Sequence, residues 1–240
     1  MKIFDDLIGS LDLDAKVKDI RQGVLHTAVL TRDCGLASTL PRDALRQQSP
    51  LVKEPGSLLE KSVLDLVRMA YSDSILEAAI GMATINSLLK IDDKRFVELN
   101  ARELIFEKGA GKNIVMVGHF PFIPLLKEHA KEVWVIEKNP REGDLTEDKA
   151  EDVIPRADVV GITGTTLTNH TFEGLLKFFS RDAYIVMLGD TTPLSPVLFD
   201  YGVHAVSGTK VVDPQIALHC VSEGANFRQI KGTKRLTIIR

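Results

Sequence analysis

The sequence predicts an α/β protein in two parts, a small α+β domain over residues 1–95 and a domain built on a parallel sheet over residues 96–240. Three observations point there. Short alternating runs followed by helical patterns fill the first part, as in α+β units. From Asn113 onward apolar strands alternate with helices, the pattern of parallel strands joined by right-handed crossovers. Three of those strands, in IVMVGHFPFIP (114–124), ADVVGITGTTLTNHT (157–171) and AYIVMLGDTTPLSP (183–196), break abruptly into Gly, Thr, Asp, His and Pro. The carboxyl ends of parallel strands line a common crevice where ligands bind, so these loops mark one polar rim.

Each element has its own signal. Residues 16–40 alternate apolar and polar in the pieces KVKDIRQG, VLHTAVLTRD and GLAST, which predicts two or three short strands with a tight turn at Gly23. The stretch 41–56 holds three prolines and no period, and predicts a loop. Ser57 with Glu60, and Ser74 with Glu77, form capping-box patterns that open two helices. In the second, Ile75, Ala79, Met82, Asn86 and Leu89 share one face. Residues 91–112 read as a connector with a short helix from Asn100, its cap supported by Glu103, to Gly109 as stop. The segments IVMVG, PFIPLLKEHA, EVWVIE, ADVVGIT, TFEGLLKFF, AYIVMLG, SPVLFDYG and VHAVSG supply the alternating part, and Leu236–Ile239 adds an edge strand.

Composition narrows the function. The chain is 44% apolar, ordinary for a globular protein. Its 30 basic and 33 acidic residues give a net charge of −3 without basic blocks, so no nucleic-acid footprint is expected. No apolar stretch approaches the roughly 20 residues a membrane helix needs. The start, MKIFDDLIGSLDLD, lacks the apolar core of a signal peptide. Cys34 and Cys220 form neither a disulfide framework nor a metal knuckle. The expectation is a cytoplasmic protein with free thiols and a small-molecule ligand.

The rim loops carry the candidate residues. Gly118 ends one strand and Glu137 ends the next, 19 positions later. That is the spacing by which dinucleotide and adenosyl folds grip phosphate and ribose, although GHFPFIP supplies one glycine where GxGxxG needs three. Alternatively, Glu137 closes its strand beside Lys138 or Arg141. His119 sits at the same strand end and can exchange a proton or ligate a metal. Its rim position sets it above His26, His129, His204 and His219, with His170 in the next loop as companion. TGTTLTNHT packs five threonines into nine residues, suited to hold an anion or to cap a helix. In GDTTPLSP, Gly189 permits a turn, Thr191 and Thr192 offer hydroxyls, Pro193 stiffens the loop, and Asp190 can orient a cation, a sugar hydroxyl or His119. Asn86, on an apolar face, must find hydrogen-bond partners, and so braces a loop or contacts ligand. Cys34 reads as a small packed hydrophobe.

DCGLAST (33–39), AAIGMATINSLL (78–89), VGHFPFIP (117–124), ADVVGITGTTLTNHT (157–171) and LGDTTPLSPVLFDYGV (188–203) together resemble a two-domain bacterial and archaeal family associated with heavy-metal chelation. The resemblance implies an enolase-amino-terminal-like domain, then a Rossmann-like domain, an interdomain cleft and a homodimer. It implies a cleft built from Gly118, His119, Phe120 and Pro121, from Thr163, Gly164, Thr165, Thr166 and Asn169, from Gly189–Pro193, and from Asn86. Asp190 stands where the family more often has proline.

The leading expectation is a small polar or anionic, even heteroaromatic, ligand in that cleft, linked by the resemblance to metal chelation. If a reaction occurs there, His119 is the acid–base candidate, with Asp190 or Glu137 orienting it. Two alternatives stay open: an adenosyl-cofactor, methyltransferase-like enzyme with Glu137 on the ribose, and a metal-binding module using His119, His170 and Cys34. The residues assign no cofactor.

Overall fold

A computed structural model describes residues 1–47, 51–90, 95–97 and 99–240. Parts of the expected loop at 41–56 and connector at 91–112 lie outside the described residues. The chain opens with helix α1 (Lys2–Gly9), whose Ile3, Phe4 and Leu7 are buried on one face. Its other contacts reach both halves: Tyr71 and Tyr201 donate to Asp5 and Asp6, each at 2.6 Å, and Glu173 accepts from the Ile3 N–H at 2.9 Å.

Strands β1 (Asp19–Gln22), β2 (His26–Leu30) and β3 (Cys34–Ser38) form an antiparallel sheet with the turn at Gly23. A short helix α2 (Pro41–Ala44) occupies the start of the expected loop. Ser57 does not cap a helix; only a 3₁₀ turn follows it. The capping box belongs to Ser62 and Asp65, which open α3 (Val63–Arg68). Ser74 caps α4 (Ile75–Leu88), but Glu77 turns away to accept from the Lys53 N–H and the Ser72 hydroxyl. Nearly every residue of α4 is buried. The expected single face is therefore a spine packed on all sides, as an apolar helix without an amphipathic pattern requires. It lies so close to β3 that a Cβ on Gly35 would sit 2.1 Å from the Ala83 carbonyl oxygen.

Asn100 caps α5 (Ala101–Gly109) by accepting from the Arg102 N–H. The second sheet then builds from β4 (Asn113–Val117), α6 (Ile123–His129), β5 (Glu132–Ile136), α7 (Ala150–Val153), β6 (Val159–Thr163), α8 (Thr165–Thr168), α9 (Phe172–Leu176), β7 (Tyr184–Leu188), β8 (Ala205–Val211), α10 (Pro214–Ser222) and β9 (Thr233–Ile239). SPVLFDYG forms a 3₁₀ segment, Pro196–Tyr201. The strand order is β5-β4-β6-β7-β8-β9; all pairs are parallel except β8 with β9, the antiparallel edge strand expected at the tail. The order reverses between β4 and β6, the place where doubly wound sheets open a crevice. This Rossmann-like sheet and the small α+β unit before it make the expected fold class. Among the described residues no helix is long and apolar enough to cross a membrane.

Candidate functional site

The strand-end loops adopt the geometry their glycines permit. Gly118 and Gly189 have φ of +99° and +116°, conformations open to glycine and strained for other residues. Each turns its chain sharply at the sheet rim. Two depressions flank the ridge they make with Thr163. One, of about 540 Å³, lies between the sheets and takes His26 and Ser38 from the antiparallel unit. The other, of about 240 Å³, opens at the β4/β6 reversal beside Glu137 and Asn169.

The candidate residues therefore divide. His119, Phe120 and Thr163 line both depressions; Pro121, Gly189 and Asp190 face the larger, and Gly118, Glu137, Thr165, Thr166 and Asn169 the smaller. Asn86, Gly164, Thr191, Thr192 and Pro193 line neither. Asn86 and Thr191 join the two units instead. The Asn86 amide donates to Leu36 O at 2.8 Å and Thr191 O at 3.2 Å. The Thr191 hydroxyl accepts from the Ser38 N–H at 2.9 Å. Gly164 packs against Thr192, and Pro193 is buried. Asn86 thus braces a loop, one of its two expected roles.

Asp190 does not orient His119. Its Oδ2 lies 3.1 Å from His26 Nε2, and its Oδ1 accepts from the Thr209 hydroxyl at 2.6 Å. Both partners of the His26–Asp190 pair are almost fully buried. His26 Nδ1 lies 3.2 Å from the Ala225 carbonyl, which can only accept, so Nδ1 carries a proton. The Nε2–Oδ2 contact links the two units through a buried polar pair. A histidine of the first unit, ranked low in the sequence, is therefore the buried partner of a rim carboxylate of the second. The β2 run VLHTAVL supplied an alternation signal but nothing to say which loop it would meet.

His119 has a different partner. Its Nδ1 lies 3.2 Å from Oδ2 of buried Asp144, which also accepts from the Arg141 N–H at 3.0 Å. An ionised Asp144 holds the proton on Nδ1 and leaves Nε2 with its lone pair, the arrangement of an oriented general base or metal ligand. Asp144 carried no sequence signal. Glu137 is not that orienting group either: it accepts from the N–H groups of His119 at 3.1 Å and Lys138 at 2.9 Å. Its carboxylate closes the strand, as one sequence reading allowed, through Lys138's backbone and not its charge.

The threonine loop is bonded largely to itself. Thr166 donates to Thr163 O at 2.7 Å, Thr163 and Thr165 hydroxyls lie 3.1 Å apart, and Asn169 accepts from Thr171 at 2.7 Å. His170 is not a companion of His119. Its Nε2 lies 2.7 Å from Ala70 O, and its ring meets Phe4 edge-on. Cys34 is buried beneath α10 with Leu218 and Val221. Burial, with the charges of Asp19 and Asp33, pushes its thiol up to about 12. The ligand set His119, His170 and Cys34 therefore does not assemble. Among the described residues no three His, Cys, Asp or Glu side chains converge as a metal site.

The larger cavity also collects residues the sequence did not nominate. Phe120 and Phe122 stack in its wall at 5.5 Å between centroids, and Arg235 lies 3.9 Å over the Phe227 ring. Arg102 and Arg228 stand at the same mouth.

Residues 4–89 match a family model, DUF4213, and residues 100–240 another, DUF364, both described as "Putative heavy-metal chelation". An uncharacterized protein of Methanocaldococcus jannaschii is 28% identical over 186 residues, covering 74% of this chain and 71% of that one. A crystal structure of a DUF364-family protein of unknown function from Desulfitobacterium hafniense is similar with a TM-score of 0.83 at 26% identity, covering 100% of this chain and 97% of the other. One from Pyrococcus horikoshii gives 0.86 at 24%, covering 100% of both, and shows the shared fold. With more than half of its length matched, this chain belongs to the DUF364 family.

Proposed function

We propose that the cavity between the two sheets binds a small polar, heteroaromatic ligand, and that this ligand, not the protein's own side chains, carries the metal-chelating chemistry of the family. The supporting observation is the cavity's composition. Phe120, Phe122 and Phe227 line the cavity together with a buried polar pair, His26–Asp190, contributed by both units. Flat apolar walls with a few placed polar groups are the usual make-up of a small-molecule site. The oriented His119 gives the same cavity a proton acceptor at Nε2. The resemblance's homodimer belongs to this proposal, and sedimentation velocity reads it.

Native mass spectrometry of untagged protein, with and without a library of heteroaromatic acids, tests the site. Leu125 is partly exposed on the cavity wall, so Leu125→Trp plugs the cavity without disturbing the core. The proposal expects Leu125→Trp to abolish the bound mass and Thr165→Ala/Thr166→Ala to keep it. The opposite pattern places the ligand in the smaller depression and overturns the reading.

A further inference from the structure

The mouth of the larger cavity is more basic than a chain of net charge −3 would suggest. Arg102, Arg228 and Arg235 all line it, and among the described lining residues the carboxylate present, Asp190, pairs with His26. Arginines on a surface are common, but here two of the three are preorganised. Arg235 lies 3.9 Å over Phe227, and Arg102 lies 5.3 Å over Phe106. Stacking occupies a guanidinium's face and leaves its N–H edge free for a planar or tetrahedral anion. Arg228 is pinned from its backbone, whose N–H donates to Asn226 at 3.0 Å.

Helix α5 adds to the same field. Asn100, Ala101 and Arg102 at its N-terminus line the cavity, so the positive end of a nine-residue helix faces it. Asp190, the carboxylate lining the floor among the described residues, is already matched by His26 and Thr209. It offers little to offset the guanidinia. Loss of hydration, together with the charge of Arg228, holds the Arg235 guanidinium below its ordinary value, against the pull of Asp190. An arriving anion would relieve that repulsion.

We infer that Arg102, Arg228 and Arg235 form an anion subsite at the cavity mouth, taking the carboxylate or phosphate of a ligand whose ring lies on the phenylalanine faces. This rests on the cavity being the ligand site and names the charge and the end of the ligand that enters last. The ring sits inward, against Phe120 and Phe122, and the acid outward, on the arginines.

Two comparisons of an anion with a neutral counterpart test it by calorimetry or ligand-observed NMR: isophthalate against isophthalamide, and phenyl phosphate against phenol. The anions should bind at least about tenfold more tightly than their neutral counterparts, as charge-assisted hydrogen bonds require. The advantage should shrink with added salt. In Arg228→Gln/Arg235→Gln, both exposed positions, most of that advantage should vanish while the neutral compounds bind unchanged; Arg102→Gln gives an independent reading if the double variant melts early. Whichever anion gains more identifies the acid the subsite takes. Equal affinities within both pairs, or an undiminished advantage in the variants, would overturn the subsite and leave the cavity reading standing. Binding of none of the four would overturn both.

Discussion

His204 shows how a single ring can carry a pH dependence without touching the site. Its Nδ1 accepts from the Ile185 N–H at 3.1 Å, and its ring stacks on Tyr184 at 5.1 Å. Burial and the nearby Arg240 charge hold its pKa below the ordinary value of 6.5. The unfolded chain therefore takes up the proton more readily, and stability present above about pH 6.5 is lost as pH falls. Asparagine keeps an acceptor and cannot titrate. His204→Asn should flatten the fall in urea midpoint between pH 7 and pH 5, measured against the wild type. An unchanged slope would assign that fall to other groups. The two thiols give a second test at this scale. Cys34 stays protonated well above neutrality, while Cys220 is only half-buried. Iodoacetamide at pH 8 should label Cys220 in the native protein and Cys34 only after unfolding, as read by peptide mass mapping.

At the scale of elements, α4 joins the two units, and its close packing is the feature most sensitive to change. Gly35→Ala would press a methyl into the Ala83 carbonyl, since the ideal Cβ lies 2.1 Å from it. It should cost about 1–3 kcal/mol or more in chemical denaturation, the range of overpacked cores. Asn86→Ala strands two carbonyls, those of Leu36 and Thr191, and should cost about 1–3 kcal/mol. It should also weaken any ligand of the larger cavity, because the Thr191 loop leads directly into Asp190. Retained stability in Asn86→Ala would show that water replaces the amide at little cost.

Elements were legible where local chemistry decided them. The Val- and Ile-rich runs of β4, β6 and β7 end in polar loops that cannot continue a strand, and Asn100 caps the helix it marks. The first capping box was misplaced because Ser57–Glu60 and Ser62–Asp65 lie five residues apart, and only packing chose between them. Helix α1 carries a weak local signal: Ile3, Phe4 and Leu7 form a short amphipathic face whose partners come from distant parts of the chain. The rim was legible as a place. Its pairings were not, because His26 meets Asp190 and His119 meets Asp144 across long separations in sequence. The arginines at positions 102, 228 and 235 meet only after the sheet has closed its order.

At the scale of the whole molecule, the cavity lies in the space between two sheets. The parallel sheet presents its strand ends; the antiparallel unit contributes His26 and Ser38; Asn86 and Thr191 hold the units in register. A ligand there should protect both units at once. The most direct measurement is hydrogen–deuterium exchange of the protein with and without a compound that native mass spectrometry shows to be retained. A ligand between the sheets should slow exchange at residues 26–38, 119–125 and 189–209 together. Protection confined to residues 137–147 and 163–171 would contradict it, placing the ligand at the β4/β6 reversal and removing the antiparallel unit from the site.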